Sequence, residues 1–337
     1  MAHKYPVEFH VVKEESVNFE QNSAGEPTEF VRGTPGNLFM PKGFLNIKDD
    51  IYNLKLRPND VWIITYPKSG TTWVQELVWL LLNDLDYKAS AMDSVMSRVP
   101  FIEYYGLLTP TFVQNMQKKY TETGRALFSP TVSQLDSMDA NKPRLLKSHL
   151  PFYVLPPGLV QTNKVIYVAR NPKDVLVSYY HHHKLMNHTE FSYDFESFFN
   201  AFLADKVKYS PYWPHILDAY SQRNHPNMCF LYFEDLKKKF PDQIRKIARF
   251  LQKEISEEDV RDLANFLKFE NVKLRWKPFE DELKNSGLFR ENESFFRKGE
   301  VGDHKNYFTS EMNLKMKHWI EENLTGSDLR FPKHEAN

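Results

Sequence analysis

Residues 61–82 read VWIITYPKSGTTWVQELVWLLL, a strand pattern that turns through a single glycine into a helix pattern. Such a turn leaves backbone N–H groups at the helix start facing whatever sits on it, with the positive end of the helix dipole behind them. That suits a phosphate or a sulfate. Lys68 adds a full charge, and Ser69, Thr71 and Thr72 add hydroxyls. The order differs from the nucleotide triphosphatase loop, which needs two glycines followed by Lys and then Ser or Thr; here the lysine precedes the only glycine, Gly70. Taken alone, the stretch also fits an ordinary strand-to-helix turn capped by Ser or Thr.

On either side of this turn the chain keeps alternating. Further β-rich runs stand at RLLKSH (144–149), KVIYVAR (164–170) and MCFLYFE (228–234), between helical patterns over 72–83, 172–186, 212–223 and 235–251. This order predicts an α/β fold, a central parallel sheet with helices on both faces. Ligands of such sheets bind beyond the carboxyl ends of the strands. Each strand here ends in polar or charged residues: Lys68, then Lys147 and His149, then Arg170, then Glu234 and Asp235. Their convergence is the predicted site.

The chain of 337 residues reads as a single domain, 1–337, with a partly irregular extension over 1–40. Residues 87–143 mix Pro, Gly, Ser and Thr with Phe101, Tyr104, Tyr105, Phe112 and Phe128, which predicts loops and short helices walling a pocket. The segment 275–310 also reads as loop, and within it RKGEVGDHKNYFT (297–309) sets Arg297 and Lys298 beside Gly299. Two bases followed by glycine suit a second anion, although a short basic loop by itself also fits solvated surface.

Lys plus Arg and Asp plus Glu balance at 44 each, so net charge points to neither nucleic acid nor an anionic membrane. Aromatic residues make up 15% of the chain, which suits an apolar small-molecule pocket as well as an aromatic-rich core. The one cysteine, Cys229, excludes an intramolecular disulfide and a cysteine-rich metal site and lies in an apolar run that predicts core packing. With no run approaching ~18 apolar residues, the expected location is cytoplasmic. The HHH run at 181–183 does not predict a metal site, because neighbouring helical residues point roughly 100° apart.

Four stretches, YPKSGTTW, RLLKSHLP, YVARNPKDVLVSYYHH and RKGEVGDHKNYFT, in this order and spacing, together resemble the cytosolic sulfotransferases from Arg57 to Phe331. The resemblance implies a single α/β domain and a sulfuryl donor, 3′-phosphoadenosine 5′-phosphosulfate (PAPS), with no metal. It places Lys68, Ser69, Gly70, Thr71 and Thr72 around the 5′-phosphosulfate and Trp73, Phe233 and Phe269 near the adenine. Arg170, Ser178, Arg297, Lys298 and Gly299 fall at the 3′-phosphate. His149 matches the general base, with Lys68, Lys147 and Ser178 as the other catalytic residues. Phe44, Phe101, Tyr104, Phe152, Tyr180 and His182 match the acceptor wall, for a small hydroxyl compound such as a phenol or steroid.

An allylic alcohol dehydrated through a transient sulfate ester is the alternative outcome, since the retinol dehydratases share the resemblance; a non-catalytic nucleotide-binding protein is the third. The chain departs from the family pattern at Phe233, Leu267 and His304, which stand where Tyr, Thr and Trp are usual. SEMNL, after KNYFT, departs from the family's dimer segment, which leaves monomer and homodimer both open.

Overall fold

The computed structural model describes residues 3–12, 20–22, 29–108, 112–114, 118, 131–135, 137–139, 142–187, 189–191 and 194–332. At its centre lie four parallel strands, β1 (Val61–Thr65), β2 (Leu145–Ser148), β3 (Lys164–Ala169) and β4 (Met228–Tyr232), in the order β2-β1-β3-β4. Ile63 of β1 stands opposite Lys147 of β2 and Ile166 of β3, and Ile166 opposite Cys229 of β4. The helices that frame the site are α1 (Thr71–Leu82), α2 (Pro172–Leu185), α3 (Tyr212–Ser221), α4 (Phe233–Lys238), α5 (Phe240–Leu251) and α6 (Phe269–Asn285).

Strand alternation divides the interior into two cores, because successive side chains leave opposite faces of a sheet. Trp62, Ile64, Leu146, Val165, Tyr167 and Phe230 join α2 and α3 on one face. Val61, Ile63, Leu145, Ile166, Val168 and Cys229 join α1, α5 and α6 on the other. With both faces covered, the strands read as unbroken apolar runs, and all five residues of β1 are buried. At the free edge of β2, Lys147 N–H donates to the Pro100 carbonyl (2.9 Å) and Ile102 N–H to the Lys147 carbonyl (3.1 Å), so residues 100–102 extend the sheet. Outside this unit, Glu8–Val11, Phe30–Thr34 and Phe39–Pro41 form a three-stranded antiparallel sheet within the expected irregular extension.

Two expectations need correction. The helix expected over 235–251 begins at Phe233 and breaks at Lys239, where α4 ends and α5 starts with Pro241 in its first turn. Proline has no N–H for the preceding turn and its ring clashes there, so it opens a helix and does not continue one. Conversely, the start of the supposed loop 275–310 is helical: α6 runs to Asn285 through Pro278. Its polar composition hid a stripe of Val272, Trp276 and Leu283 that α6 buries. Between 87 and 143 the described residues form the short helices Tyr87–Met92, Val95–Arg98 and Thr131–Leu135 and a 3₁₀ turn at Tyr104–Leu107. Phe128 and most of 109–130 lie outside the described residues.

Candidate active site

The strand order reverses between β1 and β3, with β2 on the far side of β1, and the turns after these two strands meet. One Arg170 nitrogen donates to the Lys68 carbonyl (2.9 Å) and another to the Glu300 carbonyl (3.0 Å), tying both turns to the late basic loop. Gly70 caps α1 with φ of 96°, a conformation that favours glycine, and a Cβ there would meet the Phe233 ring at 2.6 Å. Gly299 repeats the arrangement at φ of 64°, where a Cβ would lie 2.3 Å from the Phe269 ring. Each of these two glycines is thus roofed by an aromatic ring.

The same region concentrates positive charge. Lys68, Arg170, Lys147, Arg297, Lys298 and Lys237 line one cavity. Withdrawal from water, followed by repulsion from Arg170, Lys147 and Arg297, pushes the Lys68 ammonium down to about 7. Asp303 accepts from both Arg297 and Lys298, the latter at 2.6 Å. The loop is held to the start of α2 by Asp174, which accepts from Gly302 N–H at 2.7 Å and lies 2.7 Å from His304 Nδ1. His304 therefore takes over an anchoring position by hydrogen bonding. Among the described residues, the buried Ser69 hydroxyl and Arg170 Nε have no hydrogen-bond partner. Orphaned donors, glycine cradles and crowded cations fit a ligand carrying more than one anionic group. Trp73 and Phe269 border the cradles, and the Trp73 indole donates to the Leu267 carbonyl (2.8 Å).

Toward the sheet edge the cavity changes character. His149, just past β2, is buried, and its Nδ1–H donates to the Thr65 carbonyl (2.8 Å), which leaves Nε2 as the basic nitrogen. Burial, then the Lys147 charge, holds the imidazole well below its usual range, so it is neutral at pH 7. Beyond it the lining is Phe101, Tyr104, Leu107, Leu108, Tyr179, Met186, Tyr209, Leu283, Leu288, Phe289 and Phe295. The Lys147 ammonium stands 3.9 Å over the Phe101 ring and that of Lys68 4.4 Å over Phe295.

The structure brings Lys68, Gly70, Thr71, Thr72, Trp73, Lys147, His149, Arg170, Ser178, Phe233, Phe269, Arg297, Lys298 and Gly299 to this one cavity, together with Phe101, Tyr104 and His182. Ser69 sits in the turn with its side chain turned inward. Phe44, Phe152 and Tyr180 are not among the lining residues. Phe44 is fully buried against Phe9 under the N-terminal sheet, and Phe152 packs on Tyr167. Tyr180 packs on Phe195 and Phe198, because one residue of helix rotates it roughly 100° from Tyr179. The sequence reading missed Tyr179, which helical spacing from His182 would have revealed, and Tyr209, Leu288 and Phe289, for which no local signal exists. In the histidine run, His181 Nε2 lies 2.8 Å from the Tyr307 hydroxyl while His182 faces the cavity. Among the described residues no cluster of His, Cys, Asp or Glu is placed to hold a metal, and no helix is long and apolar enough to cross a membrane.

The sulfotransferase domain family matches residues 58–328. Luciferin sulfotransferase of Photinus pyralis is 34% identical over 294 residues, spanning 85% of this chain and 77% of its own. Amine sulfotransferase of Oryctolagus cuniculus is 33% identical over 290 residues, spanning 85% and 88%. The crystal structure of retinol dehydratase in a complex with retinol and PAP superposes with a TM-score of 0.89 at 32% identity, covering 97% of this chain and 99% of that one. With the family model matched over most of its length, the chain belongs to the sulfotransferase domain family as a PAPS-dependent sulfotransferase.

Proposed function

We propose that the protein transfers the sulfuryl group of PAPS to the hydroxyl of a small apolar acceptor, a phenol, steroid or comparable alcohol. The observation that carries this reading is the position of His149, a neutral imidazole with its proton pinned to Thr65, where the cation-lined and aromatic parts of one cavity meet. PAPS, when bound, supplies the activated sulfuryl group. Lys68, Gly70, Thr71 and Thr72, with the backbone of Ser69 in the same turn, would hold its 5′ end, Arg170, Ser178, Arg297, Lys298 and Gly299 its 3′-phosphate, and Trp73, Phe233 and Phe269 its base. His149 Nε2 takes the proton of the acceptor hydroxyl. Lys68 and Lys147 stabilise negative charge that develops beside them without moving a proton. Phe101, Tyr104, Tyr179, Tyr209 and Phe289 shape a flat apolar chamber for the acceptor, with His182 as a polar contact.

A second reading, dehydration of an allylic alcohol through a transient sulfate ester, is favoured by the near-complete overlap with retinol dehydratase. One experiment separates the outcomes. The protein is mixed with labelled PAPS and a panel of phenols, steroids, catecholamines and retinoids, and the products are weighed. A gain of one sulfate supports the transferase, loss of one water from a retinoid supports the dehydratase, and neither product from any acceptor sinks both.

A further inference from the structure

Glu103 has no place in the reading above, yet it is a fully buried carboxyl group directly behind the reacting residues. It lies at the end of the segment that extends the sheet beside β2, where Phe101 pairs with Lys147. Its Oε1 accepts from the His149 main-chain N–H (2.6 Å) and the Tyr209 hydroxyl (3.3 Å), and its Oε2 from the Ser148 hydroxyl (3.0 Å). Tyr209 in turn meets the His149 ring edge-on at 5.6 Å. Three donors aimed at two oxygens favour a carboxylate, and a buried carboxylate persists only where hydrogen bonds and an opposite charge compensate it.

We infer that Glu103 is a positioning residue for sulfuryl transfer: its carboxylate fixes the His149 main chain and Tyr209 behind the reacting imidazole. His149 is then held from two sides, the ring by Thr65 and the backbone by Glu103. A small displacement of a reacting group costs on the order of a hundredfold in rate, so anchoring of this kind has a measurable effect. Electrostatics point the same way. Burial is the larger influence on both, raising the Glu103 carboxyl to about 7 and drawing the Lys147 ammonium down to about 8; within the pair each charge opposes the other's shift, and the hydrogen bonds to Glu103 also favour its carboxylate. Among the described residues, the other titratable groups around the pair and His149 are Tyr209, His182, Lys68 after β1, and His215 of α3, whose Nε2–H donates to the His149 carbonyl at 3.0 Å. Among the described residues none of these is a carboxylate, and Glu103 is the one that brings negative charge to Lys147.

The inference rests on His149 and Lys147 acting as proposed, and the test keeps the two apart. In Glu103→Gln, kcat should fall about ten- to a hundredfold with PAP binding within about twofold of wild type by calorimetry. Its rate should also fail at a lower pH on the alkaline side, because Lys147 without its carboxylate loses its proton sooner. A kcat within about twofold of wild type, or a lower kcat with the alkaline limb unmoved, overturns the inference. If Glu103→Gln does not fold, judged by lost PAP binding, Glu103→Asp carries the test: it keeps the charge and withdraws one methylene, so kcat should fall while the alkaline limb stays in place. Wild-type kcat in that variant also overturns it. Should His149→Ala remain active, the reading of the site itself fails; an inactive His149→Ala with an unaffected Glu103→Gln removes Glu103 alone.

Discussion

At the cation-lined end of the cavity, Lys68, Gly70, Thr71, Thr72 and Trp73 reach the ligand space from one turn, and Arg297, Lys298 and Gly299 from another. At the aromatic end, Tyr104, Tyr179, Tyr209, Leu288 and Phe289 come from separate segments. The first is anchored by strand ends, helix starts and backbone carbonyls. The second is anchored mainly by side-chain packing, in a satellite cluster of Leu108, Phe112, Val113, Leu185, Leu283, Leu288 and Phe289. Backbone-built sites tolerate little change, whereas packed walls can be exchanged residue by residue.

The comparison breaks most visibly at the junction. His149→Ala should lower kcat by about 10² to 10⁴ while PAP binds as before, because loss of a general base leaves the anion cradles intact. An equal loss of PAP affinity would mean that the two ends are not separable. At the rigid end, Gly70→Ala forces a Cβ to 2.6 Å from Phe233 at a left-handed φ. Strain of roughly 1–3 kcal/mol should weaken PAP binding by about ten- to a hundredfold in titration calorimetry. Unchanged affinity would show that Phe233 yields.

Arg297→Ala sharpens the assignment of the late loop. The expected cost is about 1.5–3 kcal/mol, confined to nucleotides that carry a 3′-phosphate; the same loss for a ligand without that group would contradict it. On the packed side, replacing Phe101 and Tyr104 together by Ala should raise acceptor KM by roughly tenfold, the size expected when buried aromatic contact is lost, with PAP affinity held. Comparing a planar phenol with a catecholamine adds a check on chamber polarity, since a better catecholamine would require a carboxylate facing the acceptor. The smallest effect concerns protons. With Lys68 pushed down to about 7 before the nucleotide arrives, an incoming anion raises it again, so PAP binding takes up a proton. Affinity should then fall by about fivefold from pH 7 to 8 as that proton becomes costlier to acquire, and calorimetry in buffers of different ionisation enthalpy would reveal the uptake.

Sequence patterns were legible wherever a residue's role depends on its immediate neighbours. The four parallel strands, the glycine turn into α1 and the basic loop at Arg297 could be read directly, since period, turn chemistry and charge are local. Local reading also misled. Pro278 and the polar residues around it concealed the buried stripe of α6, and of the residues that stand near pocket residues in the chain, Phe44 lies in the core while the half-buried Phe152 and Tyr180 pack against it.

The order of residues by itself determined the strand-to-helix turn at Gly70, the placing of Lys147 and His149 at the end of a strand, and the basic run of Arg297 and Lys298 before Gly299. Only the tertiary structure decided which aromatic residues wall the acceptor chamber, that Phe233 and Phe269 roof the two glycines, and that Glu103 lies behind His149. The physical reason is range. Hydrogen-bonded turns and strand periodicity act over a few residues, whereas packing and burial join side chains far apart in sequence, and their partners are defined only once the sheet has brought the segments together.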